Sequence, residues 1–194
     1  VGFGFMFAQV FHPSMKFAAG PRKEIGIRTV FNILGPLTNP AGAKAQLIGV
    51  SELKLGEKMS EVLAKMGSSH VLVVHGADGM DEITLGGLTH VWELKHGVVS
   101  SYTITPEELG FERVSRDDIR VSSADESAEM LRSVLNGCNG PARDVVIVNA
   151  AGVLLAADKA ATFKEGVDLA AKSIDGGVAK DKLHALIEMS SRLK

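Results

Sequence analysis

Residues 45–75 read AQLIGVSELKLGEKMSEVLAKMGSSHVLVVH, and this stretch decides the fold. The apolar run 45–50 has the length of a buried strand. Across 53–66, Leu55, Met59, Val62, Leu63 and Met66 recur at helical spacing and would share one side. Residues 70–75 carry Val71-Leu72-Val73-Val74, a run suited to a strand covered on both faces. Strand, helix and strand at this spacing predict a βαβ unit, parallel and right-handed.

Upstream, four breaker dipeptides fall within 11–40: His12-Pro13, Gly20-Pro21, Gly35-Pro36 and Asn39-Pro40. They predict an ordered loop system, with room for a short helix over 29–34. Before it, Phe3, Phe7, Val10 and Phe11 fall on one face of a predicted helix. Downstream, 82–85 and 90–94 read as short strands, and Lys95-His96-Gly97 turns into a hairpin arm over 98–103. Thr105-Pro106-Glu107-Glu108 has the form of a helix start, with a Thr cap, proline next and acids following. A polar connection over 117–123 leads to helices over 126–135, 141–156, 163–174 and 178–189. The second of these is so apolar that it should be buried. The expected fold is α/β, a mixed, largely parallel sheet flanked by helices, with 1–194 forming a single α/β domain portion.

Composition narrows the classes. The chain has 194 residues, 45% hydrophobic and 23% charged, which is enough for a packed core in an ordinary globular protein. A net charge of −2 gives no bulk attraction to nucleic acid, and no apolar run reaches bilayer length. Cys138 stands alone in a predicted turn, so no intrachain disulfide forms; that fits a reducing compartment. Trp92 and Tyr102 are expected to pack on the hairpin.

Three long stretches carry the chemistry. Residues 12–40 read HPSMKFAAGPRKEIGIRTVFNILGPLTNP, 71–84 read VLVVHGADGMDEIT, and 140–151 read GPARDVVIVNAA. Taken by themselves, Asp81 and Glu82 are adjacent acids beyond a strong strand, where parallel sheets gather ligands; a solvated acidic turn is the commoner use of such a pair. Arg22 beside Lys23 has the ordinary look of a surface arginine.

These stretches, in this order, resemble the signatures of the anthranilate phosphoribosyltransferases over essentially the whole chain. The resemblance implies a nucleoside phosphorylase/phosphoribosyltransferase C-terminal-domain-like fold. It implies transfer of a phosphoribosyl group from phosphoribosyl pyrophosphate to anthranilate in tryptophan biosynthesis, with Mg²⁺, in a cytoplasmic homodimer with no nucleic-acid or membrane partner. It places magnesium binding at Asp81 and Glu82. Anthranilate binding falls to Arg22, whose fork suits a carboxylate, with His12 and the loop at Gly35 and Pro36. No residue is assigned as catalytic. Met15 stands where some members carry tyrosine, which touches the substrate channel only in detail. Arg28, Asn32 and Asn39 match as loop organisers; His70 and His75 are read as structural, since a hard ion prefers oxygen ligands. The family's glycine-rich donor loop and its Lys-His-Gly-Asn segment precede the region seen here, as does its small helical domain, so these residues alone are expected to turn over little.

Two rival readings differ in class. A nucleoside phosphorylase shares the fold but needs no arginine for an aryl carboxylate. A nucleic-acid-binding paralogue would tend to be basic and to lose the acidic pair.

Overall fold

The computed structural model describes residues 1–11, 17, 20, 24 and 35–192; the expected helix over 29–34 lies outside them. The chain divides into two compact units, Val1–Ala43 and Lys44–Lys194. In the first, helix α1 is described over Ala8–Phe11. The predicted opening helix starts late because Gly2 takes a left-handed φ of 78° and Gly4 follows it; each glycine costs a helix about 1 kcal/mol. Phe17, Gly20, Glu24 and residues 35–37 are helical, where the breaker dipeptides predict loop. Thr38 closes the last of these with its N–H on the Gly35 carbonyl at 3.2 Å. Asn39 then organises the exit, its side chain accepting from the Ala41 N–H at 2.9 Å.

The second unit holds a four-stranded sheet in the order β1-β2-β3-β4, with β1 Ala45–Gly49, β2 His70–Gly76, β3 Thr89–Lys95 and β4 Val98–Ile104. β1 and β2 are parallel, joined through helix α2 (Gly56–Lys65), so the predicted βαβ unit is present. The sheet is mixed and flanked by helices as expected, but the balance is not largely parallel. Among the described residues the β2–β3 and β3–β4 ladders are antiparallel. The reason for the second is local: His96 (φ 52°) and Gly97 (φ 78°) make a two-residue turn, which can join only antiparallel neighbours.

Helix α2 covers one face of the sheet through Met59 and Leu63, while Val62 and Met66, expected on the same side, are exposed. Its start lies so close to Trp92 that a Cβ on Gly56 would sit 2.1 Å from the indole ring. The other face carries Leu72, Val74 and Val91, packed with Val145, Val148 and Leu155 of helix α4 (Pro141–Ala156). β2 is therefore sandwiched, and that explains its unbroken apolar run. Helices α3 (Ala124–Leu135), α5 (Phe163–Asp175) and α6 (Val178–Arg192) complete the unit. Gly166 of α5 rests on the backbone of Ala151 in α4, where a Cβ would come within 2.9 Å. Pressed between sheet and α5, α4 has apolar residues nearly all round.

A polar chain centred on the buried His70 ties the start of β2 to the sheet. His70, 2% exposed, meets Glu93 through Nε2 at 2.8 Å and Asp158 through Nδ1 at 2.9 Å. The Tyr102 hydroxyl donates to the other oxygen of Glu93 at 2.9 Å. Burial, with Glu93 beside it, pushes the Tyr102 phenol above its usual range. His70 is thus structural, and so is His75, whose Nδ1 lies 2.8 Å from the Val50 carbonyl.

Candidate active site

The acidic pair sits where the parallel strands end. β1 stops at Gly49 and β2 at Gly76, and the chain then turns through 77–88 without forming a strand. The strand expected over 82–85 is absent because its backbone groups take side-chain partners. The Ile83 N–H donates to Asn149 Oδ1 at 2.9 Å, and Asn149 Nδ2 donates to the Ile83 carbonyl at 2.9 Å. The Thr84 N–H goes to Thr89 Oγ1 at 3.0 Å.

The turn before the pair is equally determined. The Gly76 N–H donates to the Met80 carbonyl at 2.8 Å. Asp78 accepts from the Thr84 hydroxyl at 2.6 Å and from the Met80 N–H at 3.2 Å. Glycines at 76 and 86 leave room for that carboxylate: a Cβ on either would come within 2.6 Å of it. At Gly49 the approach is closer still. A Cβ there would lie 1.5 Å from the Asp81 carbonyl oxygen, so the backbone of Asp81 rests directly on the end of β1.

Asp81 and Glu82 themselves are exposed. Partial desolvation, and then the charge of Asp81, hold the Glu82 carboxyl above its usual range. A raised folded-state value means that ionisation opposes folding. That penalty is absent below the unfolded-state value and is expressed in full above the folded one. Glu82→Gln should therefore raise Tm near about pH 7 and leave it unchanged near about pH 3, where the carboxyl is protonated in both states. Thermal unfolding at the two pH values checks this; equal shifts at both would contradict it.

Two adjacent oxygen-donor groups, strained by each other's charge, fit a hard divalent cation that keeps most of its waters and takes further ligands from phosphate oxygens. Among the described residues no group of three or more His, Cys, Asp or Glu side chains could close a metal cage. A site of two carboxylates suits an ion brought with a polyphosphate, whose oxygens complete the coordination.

Arg22 and His12 lie outside the described residues. Gly35 and Pro36 belong to the first unit, Gly35 exposed and Pro36 partly buried. A Cβ on Gly35 would meet no described residue within 4 Å. Sequence reasoning named the acidic pair but missed its supports, Gly49 and Asn149. The signals were a glycine closing a strand and one amide within the apolar run 145–156.

An α/β sheet with exposed acids beyond its parallel strands is a common place for ligands and hosts many chemistries. The chain matches the glycosyl transferase family, a/b domain, over residues 1–180 and belongs to that family. Its relatives narrow the class. The anthranilate phosphoribosyltransferase of Dehalococcoides mccartyi is 53% identical over 195 residues, covering 100% of this chain and 57% of that protein. The crystal structure of the Thermus thermophilus anthranilate phosphoribosyltransferase superposes with a TM-score of 0.89 at 42% identity, covering 95% of this chain and 54% of that one. The Saccharomyces cerevisiae enzyme, at 29% identity, has been solved with 4-fluoroanthranilate (TM-score 0.89, 98% and 55% covered). The same enzyme solved with PRPP and Mg gives a TM-score of 0.85, with 93% and 52% covered. The chain thus spans little more than half the length of the relatives it matches.

Proposed function

We propose that the chain is the C-terminal α/β portion, residues 1–194, of an anthranilate phosphoribosyltransferase. The whole protein would transfer the phosphoribosyl group of phosphoribosyl pyrophosphate to the amine of anthranilate, releasing pyrophosphate, in tryptophan biosynthesis. The observation that carries this reading is 53% identity along the entire chain to a protein of that name. The yeast relative's complexes with 4-fluoroanthranilate and with PRPP and Mg support the two substrates and the ion.

In this reading Asp81 and Glu82 hold Mg²⁺. When bound, the ion neutralises charge gathering on the departing pyrophosphate. Arg22 grips the anthranilate carboxylate through two parallel hydrogen bonds. His12 lines the ring, and the helical residues Gly35 and Pro36 form a wall, which glycine, having no side chain, lets the substrate approach. The aryl amine is neutral at physiological pH, so no general base is assigned. Rate comes from holding two substrates in line and from stabilising the leaving charge. The whole protein is taken to be a cytoplasmic homodimer acting on small molecules, with neither nucleic acid nor membrane as partner. Among the described residues no helix is long and apolar enough to cross a membrane, and the lone exposed Cys138 suits a reducing compartment.

The test is Arg22→Lys in the whole protein. Lysine keeps the charge and loses the fork, so the anthranilate KM should rise about tenfold while the donor KM stays unchanged. An unaltered anthranilate KM would remove Arg22 from the site.

A further inference from the structure

We propose that Asn149 is a positioning residue for the acidic pair, setting the separation and aim of Asp81 and Glu82 from helix α4. The inference rests on the reading above that these two carboxylates hold a divalent cation with pyrophosphate.

Neither the Asp81 nor the Glu82 side chain is hydrogen-bonded to a described residue, and the two follow one another on a segment with no ladder of its own. Their placement therefore depends on the backbone at either side. On the N-terminal side, Met80 is tied to Gly76 and Asp78, and the Asp81 carbonyl rests on Gly49. On the C-terminal side, Ile83 follows Glu82 directly, and Asn149 takes both its N–H and its carbonyl, each at 2.9 Å. One hydrogen bond would fix a distance; two from a planar amide also fix the orientation of the backbone they grip. The remaining Nδ2 proton goes to the Val145 carbonyl of α4 at 3.0 Å, which locks the amide itself. Sixty-six residues along the chain, a helix thus does for this segment what a neighbouring strand would otherwise do.

The neighbouring acids give the clamp its purpose. Two like charges on consecutive residues repel, and a free loop would relieve this by splaying them apart. Asn149 and Gly49 hold the segment from its two ends. Gly152, one turn on, allows α4 to come close enough, since a Cβ there would sit 2.8 Å from Ile83 Cδ1.

The experiment measures Mn²⁺ binding in the presence of inorganic pyrophosphate, by electron paramagnetic resonance of free Mn²⁺, on the whole protein. Asn149→Asp is nearly isosteric; it retains the acceptor for the Ile83 N–H and loses both donations. Asn149→Ser removes the clamp without adding charge. Val148→Ala serves as control, thinning the same buried helix beside Asn149 while sparing the amide. Both Asn149 variants should weaken Mn²⁺–pyrophosphate binding about tenfold or more with a native circular dichroism spectrum, whereas Val148→Ala lowers Tm and leaves that affinity unchanged. Unchanged affinity in both Asn149 variants overturns the inference, as does equal weakening in Val148→Ala, which would mark a mere stability effect. Asp81→Asn with Glu82→Gln separates the two levels. If that pair leaves binding unchanged, the metal reading itself fails; if it abolishes binding while the Asn149 variants do not, only the positioning role falls.

Discussion

Replacing Gly49 with alanine is expected to cost about 3 kcal/mol or more and to displace the acidic pair. The added Cβ would lie 1.5 Å from the Asp81 carbonyl oxygen and 2.4 Å from its carbon, both backbone atoms that cannot swing aside like the end of a side chain. Neither wall yields readily. Gly49 is paired with Val74 in the parallel ladder, and Asp81 lies between Met80 and Ile83, both hydrogen-bonded. For a chain of this size the loss corresponds to a fall in Tm of roughly 6–12 °C. Gly87→Ala is the matched control, because a Cβ there meets nothing within 4 Å and should change Tm little. Thermal unfolding of the two variants side by side decides the matter. If Gly49→Ala is as stable as Gly87→Ala, the 77–88 segment yields freely, and the contact does not set its position.

The second large effect concerns chemistry. Asp81→Ala combined with Glu82→Ala should reduce magnesium-dependent turnover of the whole protein on the order of a thousandfold. A cation on departing oxygens is worth several kcal/mol, and each 1.36 kcal/mol is a factor of about ten in rate. The loss should leave the fold intact, since both side chains are exposed and hydrogen-bond to no described residue. Removing them relieves a repulsion, as the raised Glu82 carboxyl indicates. Loss of turnover without loss of stability is what a site maintained at some cost to stability gives. Steady-state rates across a magnesium titration, with Tm alongside, measure both. Unchanged turnover at limiting magnesium would take the metal away from this pair.

How much of this is legible in the sequence depends on where the information lies. The βαβ unit is readable from 45–75 because its periodicities are local, and α4 announces its packing by being apolar over 145–156 save Asn149. The hairpin is readable at Lys95-His96-Gly97, where turn chemistry is written in two or three residues. The strand expected over 82–85 fails for a nonlocal reason: its partners are Asn149 and Thr89 side chains, which nothing in the residues 82–85 discloses. The sheet has a smaller parallel share than expected because the direction of β3 against β2 depends on how the 77–88 turn reverses the chain. The opening helix starts later than the phenylalanine spacing suggests because Gly2 and Gly4 outweigh that spacing. At the site, the acidic pair stands out through resemblance, while its supports do not. A close approach at Gly49 and a clamp from Asn149 exist only once the chain has folded back on itself.

One assay of the whole protein carrying this chain bears most directly on the proposed function: formation of N-(5-phosphoribosyl)anthranilate from anthranilate, phosphoribosyl pyrophosphate and magnesium, run beside phosphorolysis of a nucleoside. The expected result is anthranilate consumption that requires both donor and magnesium, with no phosphorolysis. Phosphorolysis without anthranilate consumption would contradict it and return the chain to the other activity this fold supports.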